Sequence, residues 1–202
     1  MKANLPESAK RLIERLAELP SIGPRQATRL AFYLVAQGGD AIHGLARDLD
    51  ELGRVKICER CFFVHQNPGR LCHICESPSR DPGVIMIVEK ETDLLSLENT
   101  GKYTGRYCIL GIIPKTGILE EWQKLRLQNL KRFIEKELGG QAKEVILAFN
   151  PTSAGDFNAS LLMKELAPLA KTVSRLGRGL PTGGEIEFAD DETLGSALER
   201  RS

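Results

Sequence analysis

The sequence of 202 residues lacks the features that mark membrane, secreted and disordered proteins. No apolar run approaches the roughly 18 residues of a membrane-spanning helix, so no membrane partner is expected. The start, MKANLPES, has neither the apolar stretch nor the cleavage site of a secretory signal, which predicts a cytoplasmic protein. There is no low-complexity tract and no long run of like charges, and 42% of the residues are hydrophobic. This composition is typical of a globular protein.

The sequence also lacks a nucleotide-binding loop and a strong charge imbalance. The glycine-rich stretch GRGLPTGGE, residues 177–185, contains no Gly-Lys-Ser or Gly-Lys-Thr, so ATP is not expected as a cofactor. The net charge of +1 does not by itself indicate a polyanionic partner. The first 80 residues, however, hold twelve Lys and Arg against nine Asp and Glu, whereas the remainder holds 16 against 18. Any nucleic-acid contact is therefore expected in the first part of the chain.

Apolar periodicity divides the chain into a helical part and an α/β part. Three short amphipathic helices are predicted from three apolar stripes: Leu12, Ile13, Leu16 and Leu19; Ala27, Leu30, Ala31 and Leu34; Ile42, Leu45, Ala46 and Leu49. Gly38 and Gly39 are expected to end the second helix, and Asp40 to cap the third.

After Pro82-Gly83, short apolar runs alternate with helical patterns, which predicts βαβ units around a parallel sheet. The predicted strands are 84–88, 107–110 and 145–149, and the predicted helices are 91–99, 120–138 and 159–169. In the tail, residues 185–189 alternate as a strand does, and a helix is predicted from Asp190 onwards.

Four of the five cysteines form two matched pairs, Cys58/Cys61 and Cys72/Cys75, separated by ten residues. In a reducing compartment such pairs indicate a metal site, and two of them supply the tetrahedral sulfur shell that Zn²⁺ favours. Because four thiolates leave no open position, one structural zinc ion per chain is predicted, holding a segment too small to build a core. An iron–sulfur cluster or a redox pair are the alternatives.

The remaining side chains near this pattern have ordinary interpretations. His65 and His73 lie within the segment and are interpreted as surface residues, because four thiols already complete the shell. Cys108 lies apart in an apolar run and is interpreted as a small buried hydrophobic residue.

A tight joint, Ile22-Gly23-Pro24, separates the first two predicted helices. Gly23 is expected to adopt a conformation closed to other residues, and Pro24 suits the first position of a helix. The free N–H groups of that helix start could bind a phosphate, with Arg25 and Arg29 on one face beside it. Sequence-neutral contact with a nucleic-acid backbone would follow. The alternative is an ordinary helical corner with solvated arginines; the arrangement resembles the helix-hairpin-helix motif of DNA-binding proteins.

In the α/β part, Glu89 follows the strand at 84–88 and should emerge at its carboxyl end, where open α/β sheets bind ligands. This arrangement resembles the Toprim fold, whose enzymes hold Mg²⁺ with that carboxylate and two more after a neighbouring strand, where an Asp-x-Asp motif is followed shortly by Glu-Gly. Asn150, Thr152 and Ala154 occupy the positions of those three acids. Glu89 and Asp156 remain, which is a poor ligand set for Mg²⁺. Neither bound Mg²⁺ nor metal-dependent strand chemistry is therefore expected, and Glu89 is interpreted either as an exposed polar residue or as a partner contact.

The order of these parts resembles the RecR family of bacterial recombination mediators over nearly the whole chain. The resemblance is carried by LPSIGPRQATRLAFYL, by the cysteine segment ending in CHICESPSRD, by VIMIVEKETDLLSLENTGKYTGRYCILG, and by the tail RLGRGLPTGGEIEFADDETLGSAL. It implies four regions: a helix-hairpin-helix at 1–54, a C4 zinc finger at 55–80, a Toprim-like parallel α/β domain at 81–176, and a C-terminal oligomerisation segment at 177–202.

The resemblance implies a protein without catalytic activity that forms a ring or clamp on single- and double-stranded DNA. Its partners would be RecO-like and RecF-like proteins, which help load RecA onto single strands, and further copies of itself, with a tetramer expected. Gly23, Arg25 and Arg29 would contact DNA, Cys58, Cys61, Cys72 and Cys75 would hold zinc, and Glu89 and Asp156 would contact a partner protein.

The chain departs from the family pattern at several positions. Ala154-Gly155-Asp156 replaces the usual Glu-Gly-Glu, which brings the RecO contact into question more than the DNA contact; Cys108 replaces a histidine, and Ile112 a glycine. Two alternative functions stay open at this point. One is a metal-dependent Toprim enzyme acting on DNA, and the other is a zinc-ribbon adaptor whose hairpin only packs.

Overall fold

A computed structural model describes residues 5–180 and 182–199. The chain divides into two compact units, residues 1–55 and 56–202, which are described separately. No helix in the described part of the chain is long and apolar enough to cross a membrane.

The first unit consists of the three predicted helices, α1 (Glu7–Ala17), α2 (Pro24–Gln37) and α3 (Gly39–Leu52). Ala27 and Ala31 are buried at 0% and 2% exposure, because their small side chains let neighbouring helices approach α2 closely. Gly38 ends α2 as predicted, with the left-handed φ of 90° that favours glycine. Asp40 does not cap α3, contrary to prediction: the Gly38 carbonyl already accepts the Ile42 N–H (3.3 Å), so the N-cap is Gly38 and α3 begins two residues earlier.

The second unit is built on a parallel sheet, as predicted, but the sheet has four strands and not the three that were predicted. Its strands are β3 (Val84–Val88), β4 (Arg106–Ile109), β5 (Ala142–Ala148) and β6 (Ala170–Arg175), in the spatial order β4-β3-β5-β6. Helices α5 (Glu91–Glu98), α6 (Glu121–Glu137) and α7 (Ser153–Leu166) connect them, and a 3-10 turn at Ala167–Leu169 leads into β6. Ahead of the sheet, β1 (Lys56–Ile57) and β2 (Val64–His65) form an antiparallel pair, followed by the short helix α4 (His73–Glu76).

The two faces of the sheet have different covers, because successive strand residues point to opposite sides. One face of β3, with Ile85 and Ile87, packs on α6 and α7. The other face, with Met86 and Val88, packs on α5 and on the segment that carries the four cysteines. The cysteine segment is therefore part of a core, not an appendage.

The end of the second unit differs from the prediction in two places. Strand β6 was not predicted, because AKTVSR is largely polar and forms an edge strand that only backbone pairing defines. The strand predicted at 185–189 is wrong: Ile186–Phe188 is a 3-10 turn with no strand beside it among the described residues, and Phe188 is 79% exposed. The helix predicted from Asp190 is confirmed as α8 (Asp191–Glu199), whose Thr193 N–H donates to the Asp190 carboxylate (2.8 Å).

Candidate nucleic-acid interface and cysteine site

The joint between α1 and α2 is tight, but not for the predicted reason. Gly23 has φ −81° and ψ 166°, an extended conformation that any residue adopts, so the predicted need for glycine is wrong. The left-handed residue is Ser21, with φ 65°. A Cβ placed on Gly23 would meet no atom of the chain within 4 Å. Glycine at this position therefore leaves open space over the backbone that precedes the helix.

The start of α2 presents unused donors and positive charge together. Pro24 is the first helical residue, as predicted, and the N–H groups of a first helical turn have no acceptor within the helix. Arg25 and Arg29 are one turn apart and exposed, and neither forms an ion pair with any residue in the described part of the chain. The helix dipole adds a partial positive charge at the same end. The arrangement can accept a phosphate group.

The four predicted metal ligands converge. Cys58, Cys61, Cys72 and Cys75 are buried, and their sulfur atoms all lie within 4.8 Å of one another. Zn–S bonds of about 2.3 Å imply sulfur–sulfur distances of about 3.8 Å, and the sulfurs of Cys61 and Cys72 are 3.4 Å apart. Hydrogen bonds among the thiols lower the pKa of Cys58 and raise the pKa of Cys61, because the buried thiols share protons. The donor set fits a tetrahedral zinc ion.

The two cysteine pairs, Cys58/Cys61 and Cys72/Cys75, are named here the first and the second knuckle, and the first knuckle contacts the sheet. Phe62, directly after Cys61, has a left-handed φ of 66°. Its N–H donates to the Cys58 carbonyl (3.0 Å), and the Ile109 N–H at the end of β4 donates to the Cys61 carbonyl (2.9 Å). The knuckle thus pairs with the edge of the sheet.

Arg126 of α6 fastens this knuckle from the other side. Its guanidinium carbon lies 4.7 Å from the centre of the Phe62 ring and 4.8 Å from that of Trp122, and it donates to the Ile109 carbonyl (3.0 Å). The only tryptophan of the chain is therefore linked to the cysteine site through one side chain. Sequence reasoning missed Arg126, since residues 62 and 126 are distant in the chain.

Glu89 lies at the carboxyl end of β3, as predicted, but the interpretation of it as an exposed residue is wrong. It is 4% exposed, and its two carboxylate oxygens accept the N–H groups of Ile113 (3.2 Å) and Asn150 (2.6 Å). The side chain ties together the segments that follow β3, β4 and β5. The carboxylate is used inside the fold.

Asp156, the second remaining acid, is held by two arginines. Its carboxylate accepts hydrogen bonds from Arg175 and Arg178, and Arg178 also donates to Glu192 of α8 (2.6 Å). The contact with Arg175 is the main reason that the pKa of Asp156 lies below its usual value. Two cations thus occupy the surroundings of the Asp156 carboxylate. Neither arginine could be identified from the sequence, because their role depends on where β6 ends.

The neutral residues between these acids have structural roles. The Thr152 hydroxyl caps α7 by accepting the Gly155 N–H (3.1 Å), and Ala154 packs against the core. Asn150 contributes its backbone N–H to Glu89. The carboxyl edge therefore lacks a compact set of acidic ligands among the described residues.

Two of the three remaining predictions for Cys and His residues are confirmed, and the prediction for His65 is wrong. Cys108 is buried in β4 as predicted, and burial raises its pKa to about 12. His73 is exposed as predicted, but His65 is only 7% exposed, because β2 packs it inside the cysteine segment, where its Nδ1 accepts the Asn67 N–H (3.2 Å).

Comparison with known proteins shows the family of the chain. Three family models match it: "RecR, helix-hairpin-helix" at residues 9–52, "Toprim domain" at 83–177 and "RecR, C-terminal" at 179–202. The chain is 46% identical to a protein named recombination protein RecR from Chloroflexus aurantiacus over 194 residues, 95% of this chain and 92% of that protein. The chain belongs to the RecR family.

More distant RecR proteins match over a similar extent. The protein of Roseiflexus sp. (strain RS-1) is 44% identical over 200 residues, which is 98% of this chain and 94% of its own length. That of Rubrobacter xylanophilus is 38% identical over 202 residues, 98% of both. The similarity to RecR proteins thus includes the hairpin, the cysteine segment, the Toprim domain and the tail.

Proposed function

We propose that this RecR-family chain is a DNA-binding recombination and repair protein that acts as a mediator and not as an enzyme. The observation that carries the proposal is the start of α2, where Arg25 and Arg29 are exposed beside free backbone donors and are unpaired within residues 5–180 and 182–199. Such a site contacts phosphates without reading bases, so single- and double-stranded DNA would both bind.

The experiment that tests the DNA contact is the double variant Arg25→Ala, Arg29→Ala. Its affinity for DNA should fall, and the slope of log affinity against log salt should decrease by about 1.8 for duplex DNA, because two phosphate contacts are lost. The matched control is Arg11→Ala with Arg47→Ala, which removes two exposed arginines of the same unit that also lack an ion pair in the described structure. If the salt slopes of the two double variants are equal, the alternative is favoured in which the chain is a zinc-ribbon adaptor and its hairpin only packs.

The absence of catalysis is part of the proposal. Asp156 is held by arginines, Glu89 by backbone N–H groups, and Ala154 offers no ligand. A metal-dependent Toprim enzyme is the competing function, favoured only by the position of Glu89 at the carboxyl edge. Cleavage of DNA in Mg²⁺ or Mn²⁺ that Glu89→Gln abolished would establish that alternative.

The cysteine site would hold one zinc ion with a structural role. Cys58, Cys61, Cys72 and Cys75 would be its ligands, and zinc would supply cross-linking between the two knuckles rather than chemistry, since four sulfurs leave no vacant position.

The partners proposed are further copies of the chain, in a ring-like tetramer, and RecO-like and RecF-like proteins that support RecA loading. In the tail, the exposed side chains of Ile186 and Phe188 support a role in contacts between copies. Asp156 is 37% exposed and supports a partner contact better than the buried Glu89 does. The mass of the particle in solution, with and without DNA, tests the ring, because a monomer cannot encircle a duplex.

The four-region division of the chain, at 1–54, 55–80, 81–176 and 177–202, is retained as a proposal. The cysteine segment shares a core with one face of the sheet, so we expect residues 55–80 and the sheet to unfold together.

A further inference from the structure

A second basic surface lies in the α/β unit, between the cysteine segment and α6. It borders a cleft of about 300 Å³, which we name the α6 cleft. The charged residues that line it are Glu59 and Arg60 from the first knuckle, and Arg132, Lys136 and Glu137 from α6. None of these residues belongs to the hairpin site or to the carboxyl edge of the sheet.

The carboxylates of the cleft are already matched by cations. Glu137 pairs with Arg60 (2.7 Å), whose guanidinium carbon also lies 4.6 Å from the centre of the Phe133 ring. Glu59 pairs with Arg70 (3.6 Å). Because Arg60 and Arg70 offset these two negative charges, the charge of the cleft is decided by the cations that remain.

Arg132 and Lys136 are those cations. They are exposed, they are one helical turn apart on the same face of α6, and neither forms an ion pair with another described residue. The other basic residues of α6 are all engaged: Lys124 pairs with Glu121, Lys131 pairs with Glu165, and Arg126 stacks between two rings. The helix therefore presents two cations, whose Cβ atoms are about 6 Å apart, toward a cleft with no unpaired acid among its described lining residues.

We propose that the α6 cleft binds the sugar–phosphate backbone of nucleic acid, as a second contact besides the hairpin. The proposal rests on the proposed function, that the chain binds DNA. An acidic protein segment shares the negative charge, but protein contacts are usually anchored by apolar or aromatic side chains in pockets. Here the aromatic wall, Phe133, is covered by Arg60. Two exposed cations on a polar wall suit a repeated phosphate better.

The test is the double variant Arg132→Ala, Lys136→Ala in the full-length protein, with oligothymidylate as the probe. Both side chains lie off the buried face of α6, which consists of Gln123, Leu127, Leu130 and Ile134, so the fold should persist. We expect the affinity to fall about five- to tenfold and the salt slope to decrease by about 1.4, the value for two phosphates of a single strand.

The control is Lys102→Ala with Lys171→Ala, which makes the same change in net charge. Both lysines are exposed, lie outside the cleft and have no ion pair in the described part of the unit. A second measurement does not depend on any substitution: oligothymidylate should protect Lys136 from acetylation, read by mass spectrometry, and leave Lys102 reactive.

The outcomes separate this inference from the proposed function. If Arg25→Ala, Arg29→Ala weakens binding while the α6 variant matches its control and Lys136 stays reactive, the α6 cleft is not a nucleic-acid site, and the proposed function stands. If the α6 variant instead loses affinity only for a polyglutamate peptide, the cleft is a protein site and the inference is overturned. If the wild-type protein binds no oligothymidylate or duplex, both proposals fail.

Discussion

The hairpin of the first unit and the carboxyl edge of the sheet in the second unit use charged side chains in opposite ways. At the hairpin of the first unit, Arg25 and Arg29 are exposed and have no partner among the described residues. At the carboxyl edge of the second unit, by contrast, Asp156 holds two arginines and Glu89 holds two backbone N–H groups. Unpaired charge is available to a ligand, whereas paired charge stabilises the fold. The comparison therefore predicts that substitutions in the two places affect different measurements.

The largest loss of stability should come from substitution in the cysteine site, where all four sulfur atoms are buried close together. Cys58→Ser should abolish the bound metal and lower the free energy of unfolding by on the order of 4 kcal/mol, because the segment covers one face of the sheet. Metal content by mass spectrometry and denaturant unfolding measure the two effects. Cys108→Ala, which alters a buried cysteine outside the site, should retain the metal; loss of metal there too would contradict the assignment.

Removal of the metal by a chelator should also alter the fluorescence of Trp122. The stack of Trp122, Arg126 and Phe62 joins the indole to the first knuckle, so release of the knuckle changes the surroundings of the ring. In Arg126→Ala, metal binding and Trp122 fluorescence should no longer be linked. The metal should still bind, but the emission of Trp122 should no longer respond to the chelator. An unchanged response in that variant would show that the stack does not carry the effect.

Glu89 should be next in size. Glu89→Gln presents one oxygen and one NH₂ group, so either the Ile113 or the Asn150 N–H loses its acceptor and meets a donor. We expect a loss of about 1–3 kcal/mol in the free energy of unfolding, with DNA affinity unchanged. The exposed neighbour Glu91 provides the control, and Glu91→Gln should change stability by less than about 0.5 kcal/mol. Equal losses for both variants would mean that the two hydrogen bonds accepted by Glu89 contribute little to the free energy of unfolding.

Asp156 should have a smaller, pH-dependent effect. Its pKa is lower in the folded chain, mainly because of Arg175, so its stabilising contribution is complete above the unfolded pKa of about 3.9 and is lost as the pH falls through the folded value. Because the side chains are partly exposed, the contribution should be below about 1 kcal/mol. Asp156→Asn should remove this part of the acid dependence of unfolding; an acid limb identical to that of the wild type would contradict it.

The smallest effect on stability should come from the hairpin. Arg25→Ala with Arg29→Ala should leave the free energy of unfolding within about 0.5 kcal/mol, because neither side chain has a partner to lose in the described structure. Thermal unfolding measures this, beside the loss of DNA affinity proposed above. A large destabilisation would mean that these arginines are structural, and the contrast between the hairpin and the carboxyl edge would not hold.

Local patterns predicted most of the fold. The three helices of the first unit, strands β3 to β5 and the convergence of four cysteines all follow from spacing along short segments, and the structure confirms them. Two errors have the same origin. β6 was missed and a strand at 185–189 was wrongly predicted, because a strand depends on a neighbour that pairs with it and not on its own side chains.

The candidate sites divide in the same way. The two-residue spacing predicted that Cys58 and Cys61 lie together, and the one-turn separation predicted that Arg25 and Arg29 lie on one face of the helix. The turn before α2 was located correctly but attributed to Gly23, whereas the left-handed residue is Ser21. The buried state of Glu89 and of His65 could not be read from the sequence, since burial depends on segments that are remote along the chain.

By itself, the sequence determined the helices, the order of the parts and the candidate metal ligands, because these depend on periodicity and on spacings of two to four residues. Only the tertiary structure decided which charged side chains are engaged by other residues of the fold. Arg175 and Arg178 reach Asp156, Arg60 reaches Glu137, and Arg126 reaches Phe62, each across a long stretch of chain. Whether a charge is free to bind a ligand depends on its neighbours in space, and those neighbours exist only once the chain has folded.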